Sequence, residues 1–224
     1  KSAQDLFLSQ FPGWSEDKAK AALARHYDAY WLTASLDKQL AHQALLDRAQ
    51  ARDILTEVKT DAFTAITELT VFAPDHPRLL ALITGSCAAA GANIAGAQIF
   101  TTTDGMALDT ILIQREFPEE VDEIRRAERV GDLIRKSLEG KVWLKDRVES
   151  AAIAKQKFKP FWVEPRVIID NQSSNRFTVI EINGLDRIGL LYHLTEALYG
   201  LSLNIASAHI TTFGEKAIDV FYVT

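Results

Sequence analysis

Two sets of side chains in this sequence have the types and spacing to grip a small polar molecule. One is Asp186, Gly189, Leu190, Asn204 and Ile205; the other is Asp75, Arg78, Leu79, Asn93 and Ile94. In each set the acid stands where a strand-like run gives way to a helix-like one. A carboxylate there can hold an ammonium group or cap the helix. The helix start offers backbone N–H groups that no helical carbonyl takes up, and these suit a carboxylate. Gly189 lets a ligand approach that backbone with no Cβ in the way. The Asn204 amide donates and accepts, so it can read another amide. The plainer alternatives stay open: Asp186 as a cap only, Gly189 as a packing glycine, Asn204 as a turn residue. In the other set Arg78 stands where Gly189 stands in the first. A long cation either blocks the pocket or reaches across to bind a carboxylate itself. That makes this a weaker or structural site, although Asp75 and Asn93 remain. A Gly189→Arg change is then expected to reproduce the Arg78 state and weaken binding.

Other chemistries find little support. The histidines (His26, His42, His76, His193, His209) show no close pairing of the kind metal binding needs. Asp75-His76 has no companions. Cys87 lies on an apolar helix face and reads as core rather than nucleophile. There is no glycine-rich phosphate loop and no acid/base pair of carboxylates. Tyr27, Tyr30 and Trp31 read as core of a helical segment, and the charged run 119–129 as a solvated helix face. A net charge of −5 with interspersed signs argues against nucleic acid as a partner. No apolar run approaches the length of a membrane span. A single cysteine excludes an intrachain disulfide and fits a reducing cytoplasm. The chain begins at Lys1 and stops after the apolar run 217–223, so it reads as a piece of a longer protein.

The elements that must position these residues fall into two textures. Residues 1 to about 60 read as helical. Ser15 is placed to cap a helix bearing Ala19, Leu23, His26, Tyr27 and Tyr30. A second stretch carries Leu36, Leu40, Ala44 and Leu45 on one face. No Gly or Pro occurs between Gly13 and Pro74, which favours helices over loops. From Phe63 the pattern changes. A β-rich run ends at Pro74, and a helix opens at Pro77 and stops at Gly91. A hairpin follows, with its turn at Thr103, Asp104 and Gly105. Then come a charged helix over 118–138, a further helical stretch to about Gln156, and a strand over 163–170 approached by Pro160 and Pro165.

The order then begins again. A shift of 111 residues brings Asp75, Leu79, Leu80 and Thr84 onto Asp186, Leu190, Leu191 and Thr195. It also brings Asn93, Ile94, Ala95, Ala97, Ile99 and Thr101 onto Asn204, Ile205, Ala206, Ala208, Ile210 and Thr212. After one residue is lost in the hairpin, Ala107 and Asp109 meet Ala217 and Asp219. These twelve identities mark an internal repeat. A strand-helix-strand unit used twice gives a four-stranded antiparallel sheet with two helices on one face. The second copy is expected to lack its last helix and strand, leaving an open edge that invites dimerisation.

These residues resemble the ACT family of regulatory amino-acid-binding modules. The pattern is Asp186-Arg187-Ile188-Gly189-Leu190-Leu191 with Asn204-Ile205, and Asp75-His76-Pro77-Arg78-Leu79-Leu80 with Asn93-Ile94. The flanks (Arg25-His26-Tyr27 with Tyr30-Trp31-Leu32, Val163-Glu164-Pro165-Arg166, and 217–223) make the chain more similar still to the C-terminal part of the PII uridylyltransferase/uridylyl-removing family. The resemblance implies an α+β fold of tandem ferredoxin-like βαββαβ modules after a helical segment. Its expected divisions are 1–62 helical, 63–172 the first ACT module and 175–224 a truncated second. It also implies a parent enzyme with upstream catalytic domains, using Mg2+ and UTP, while this region carries no cofactor, metal or catalytic residue. The implied ligand is L-glutamine or another amino acid, and the implied protein partners are PII and the catalytic domains. Pairing through ACT sheets into a homodimer is a further expectation. The alternative is a module that docks on those proteins without a small ligand.

Overall fold

The computed structural model describes residues 2–50, 54–61, 63–154 and 162–224. Residues 155, 156 and 160, named above as helix end and strand approach, lie outside them. Four helices lead: α1 (Ala3–Leu8), α2 (Glu16–Ala24), α3 (Asp28–Thr33) and α4 (Leu36–Arg48). Ser15 caps α2 as expected, accepting from the Lys18 N–H. The helix does not run on to Tyr30, because it ends at Ala24 and α3 starts afresh.

The first copy contains β1 (Leu55–Asp61), β2 (Ile66–Pro74), α5 (Leu79–Ala89), β3 (Ile94–Gln98), β4 (Met106–Gln114), α6 (Glu120–Leu138) and α7 (Lys145–Ala154). The second has β5 (Arg166–Asp170), β6 (Thr178–Leu185), α8 (Leu190–Gly200), β7 (Ile205–Phe213) and β8 (Lys216–Val223). All the strands join one sheet in the order β1-β2-β4-β3-β7-β8-β6-β5. Every described pairing between neighbours is antiparallel. The order is palindromic, so the copies lie side by side about a pseudo-twofold between β3 and β7.

Two sequence expectations need correction. Residues 55–61 are not helical; they form β1, paired along β2 from Leu55↔Phe72 to Asp61↔Ile66. The turn between these strands uses no glycine. Asp61 Oδ1 accepts from the Phe63 and Thr64 N–H groups, and Ala65 adopts a φ of 54°. The strand over 163–170 does not complete the first copy. As β5 it pairs with β6, from Arg166↔Asn183 to Asp170↔Val179. Each copy therefore fills the outer slot beside its first strand with the strand that precedes it. The second copy has no empty slot there.

The repeat is carried into local detail. Both second strands slip register, between Ile94 and Gly96 and between Ile205 and Ser207. Gly91 ends the α5 region at φ 68°, and Ser202, its repeat partner, takes φ 59° after α8. At the pseudo-twofold, Thr84 and Thr195 place their hydroxyls 3.2 Å apart between α5 and α8.

Alternation along β2 and β4 divides the core into two layers. Leu69, Val71, Ala73, Ile111 and Ile113 meet α5 and α6. Phe72 and Leu108 face the other way and pack with Tyr30, Trp31, Leu45 and Leu46 of the leading helices. Helix α6 is not wholly a solvated face: Glu123 is fully buried and Arg126 is 5% exposed. Val167 and Ile169 on β5 are 60% and 64% exposed.

His42 joins the leading helices to the sheet. Its Nδ1 lies 3.1 Å from the Tyr30 hydroxyl and its Nε2 lies 3.1 Å from Thr110 Oγ1. Burial, with the charges of Lys38 and His26, lowers its pKa to about 4. The folded value is below the unfolded one, so the stabilisation is present above the unfolded pKa of about 6.5 and is lost as pH falls toward 4. Between these limits stability should fall by about 1.4 kcal/mol per pH unit from this group. Urea unfolding at pH 7, 6 and 5 checks it: His42→Asn should be less stable at pH 7 but show a shallower pH slope. Equal slopes would show that His42 does not titrate in this way.

Candidate functional site

The end of β6 and the start of α8 form a turn through Asp186, Arg187, Ile188 and Gly189. The Asp186 N–H donates to the Glu215 carbonyl at 2.9 Å, and the Leu190 N–H to the Arg187 carbonyl at 3.0 Å. Gly189 sits at φ 81°, where a side chain is strained, and an added Cβ would lie 2.9 Å from Val148 Cγ1 of α7. The glycine is required by the turn and by the approach of α7.

This turn borders a cavity of about 30 Å³. Asp186, Gly189 and Leu190 line it from the second copy, Asn93 and Ile94 from the first, and Thr212 and Asp219 from β7 and β8. The sequence reading grouped Asp186 with Asn204 of its own copy, but the structure places Asn93 there. Asn93 Nδ2 donates to Asp186 Oδ2 at 3.4 Å and to Gln114 Oε1 at 2.8 Å. Asn204 and Ile205 do not line this cavity. Asn204 is exposed, and its backbone exchanges two hydrogen bonds with Thr224. The cause is the β3–β7 junction, Gly96↔Thr211 to Gln98↔His209, which sets the start of β3 against the partner copy's turn.

The other acid-bearing turn differs. Asp75 accepts from Thr101 Oγ1 at 3.0 Å. Arg78 has φ −100° and ψ −1°, an ordinary right-handed conformation. Its guanidinium reaches across to Glu196 of α8, donating at 2.9 and 3.1 Å, and lies 5.7 Å from the Tyr199 ring centroid. Of the two fates the sequence left open for Arg78, reaching a carboxylate is the one observed, and that carboxylate is the protein's own. Leu79 is core, 2% exposed.

Two acids went unnoticed as site residues. Asp109 and Asp219, repeat partners, are 1% and 2% exposed, and Oδ1 of each lacks a hydrogen-bond partner. Each accepts a backbone N–H, from Phe100 and Thr211 respectively. Burial, with the charge of Asp75, raises the Asp109 pKa well above the usual carboxylate range. Burial, with the charge of Asp186, raises Asp219 to about 7. The signal was an acid inside an apolar strand at the same place in both copies.

Among the described residues no cluster of His, Cys, Asp and Glu is placed to hold a metal ion. Also among them, no helix is long and apolar enough to cross a membrane. Burial pushes the Cys87 thiol up to about 12, which leaves it protonated and a poor nucleophile. Two carboxylates, an amide and a helix start meet at one cavity, a set of groups able to hold a small polar molecule.

No protein-family model matches the chain. It is 52% identical, over 99% of its length, to the bifunctional uridylyltransferase/uridylyl-removing enzyme of Nitrobacter hamburgensis. It is 51% identical, over 97% of its length, to the enzyme of that name from Bradyrhizobium diazoefficiens. In each case the chain spans 24% of the relative's length. Among solved structures, aspartate kinase from Synechocystis is similar at 16% identity and a TM-score of 0.41, over 71% of this chain and 24% of that one.

Proposed function

Since this chain corresponds to one region, about a quarter, of the bifunctional uridylyltransferase/uridylyl-removing enzymes, we propose that it is an amino-acid-sensing regulatory region, with L-glutamine as its first candidate ligand. The observation that carries this reading is the cavity where Asp186, Gly189 and Leu190 of one copy meet Asn93 and Ile94 of the other. Its groups match a zwitterion: carboxylates for the ammonium, the start of α8 for the carboxylate, and an amide for a side-chain amide.

The size of the cavity bears on mechanism. About 30 Å³ holds about two waters. An amino acid seated deep against Asp219 is therefore expected to part the start of α8 from the Asn93 segment. Tyr192, at that start, packs with Val148 and Leu144, so the opening is felt by α7. A ligand that binds the parted state better than the closed one shifts the population between them. In the full-length protein the regulated reactions would be addition and removal of uridylyl groups on the PII protein.

Calorimetric titration of the chain with L-glutamine tests this. Saturable heat is expected, and no heat at millimolar ligand counts against the reading. Asn93→Ala should weaken binding about tenfold, as expected for one lost hydrogen bond of about 1.4 kcal/mol, while Asn204→Ala should leave it unchanged. The opposite ranking would place the ligand elsewhere.

A further inference from the structure

We propose that Asp219 is the residue by which this cavity recognises a protonated amine, and that it releases its own proton to solvent when the amine docks. This rests on the amino-acid-binding reading of the cavity and adds to it a recognition group and a proton linkage.

The geometry isolates Asp219. It sits mid-strand in β8, opposite Ile182 on β6 and Ile210 on β7, so neither residue paired with it offers a polar side chain. One oxygen is held by the Thr211 N–H, and Oδ1 has no partner. The side chain is 2% exposed yet lines the cavity. A buried acceptor left without a donor is costly, and a ligand that brings N–H donors with a positive charge relieves that cost. The other ionisable groups on the cavity wall are Asp186 and Arg187 from the turn and Tyr192 from α8. His193 of α8 lies beside Gly189, under the charges of Arg187, Glu149 and Glu196. Asp186 adds negative charge to that of Asp219, which favours a cation and disfavours two ionised acids in the empty state.

The proton balance follows. In the empty cavity Asp219 holds a proton on one carboxyl oxygen for much of the time near neutral pH. Docking of R–NH3+ makes the ionised form the better partner, so the proton leaves for solvent and the carboxylate accepts from the ammonium. Affinity therefore rises with pH through the range in which Asp219 titrates, while the ligand's ammonium stays charged. The repeat provides an internal control. Asp109 occupies the equivalent strand position but does not line this cavity.

The test is titration of the chain with L-glutamine and with glutaramic acid, its analogue without the amino group. Measurements at pH 6, 7 and 8, in two buffers of different ionisation enthalpy, count the protons exchanged. Glutamine should bind about tenfold more tightly at pH 8 than at pH 6 and release about half a proton at pH 7, as linkage to one group titrating near 7 requires. Glutaramic acid should bind about 100-fold more weakly than glutamine. Asp219→Asn should remove the proton release and the pH dependence and bring the two ligands to within about threefold. Asp109→Asn should leave all of these as in the parent chain. Glutamine binding without proton release, or a pH dependence that survives Asp219→Asn, overturns the inference while leaving the sensing reading standing. No binding of glutamine at any pH removes both.

Discussion

Replacing Glu123 by alanine is expected to destabilise the chain by about 3–5 kcal/mol, the range for removing one partner of a buried ion pair. The carboxylate is fully buried and gathers donors from several directions. It accepts from the Glu116 N–H at 2.6 Å, the Phe117 N–H at 2.7 Å, Thr67 Oγ1 at 3.0 Å and Arg126 Nη2 at 2.7 Å. One side chain thus ties the loop after β4 to the first turn of α6 and to the start of β2. Alanine leaves buried donors unsatisfied and Arg126 with only Glu116 and the Gln114 carbonyl. Urea unfolding measures the loss. Arg126→Met made together with Glu123→Ala should recover part of it, because the stranded charge goes too. A loss below about 1 kcal/mol would show that the network contributes far less than its geometry implies.

Gly189→Arg is expected to cost about 2–6 kcal/mol and to abolish any binding at the cavity. Two separate costs combine: a non-glycine residue at φ 81°, and a Cβ 2.9 Å from Val148 Cγ1, each of about 1–3 kcal/mol. The change does not reproduce the first copy, as sequence alignment alone implied. Arg78 rests in a right-handed conformation and faces Glu196, whereas residue 189 is left-handed and faces α7. Val148→Ala should relieve the contact but not the backbone strain, so the double variant should recover only part of the stability. Full recovery would mean that the left-handed backbone carries no cost. An unchanged thermal midpoint for the single variant would remove both arguments.

Features encoded by local pattern were legible in the sequence. The helix starting at Glu16, the strand ending at Pro74, the hairpin turning at Gly105 and the repeat itself all rest on short-range chemistry of caps, turns and periodicity. What was not legible depends on which strand lies beside which. Nothing in 166–170 says that it pairs with β6 rather than β2, since an apolar run serves either neighbour. The β1–β2 turn was hidden because Asp61 and a left-handed Ala65 do what glycine usually does. The composition of the site was half visible. Asp186, Gly189 and Leu190, grouped in the sequence, line one cavity, but the amide beside them comes from the other copy. Asp109 and Asp219 were seen as matching letters and not as buried acids. Glu123 and Arg126 were masked by their polar neighbours on α6.

The palindromic strand order has a further meaning. A β3–β7 seam with Thr84 against Thr195 is what an isologous homodimer of one copy would make, each surface meeting its own image. In such a dimer every substitution would appear twice, and both turn-and-helix corners would have to be alike. Joining the halves in one chain lifts that constraint. Here the lifted constraint is visible as a right-handed Arg78 pinned to Glu196 on one side and a left-handed Gly189 against Val148 on the other. Covalent fusion lets the two halves carry different residues at equivalent corners, an asymmetry that a symmetric assembly of identical subunits does not hold at rest.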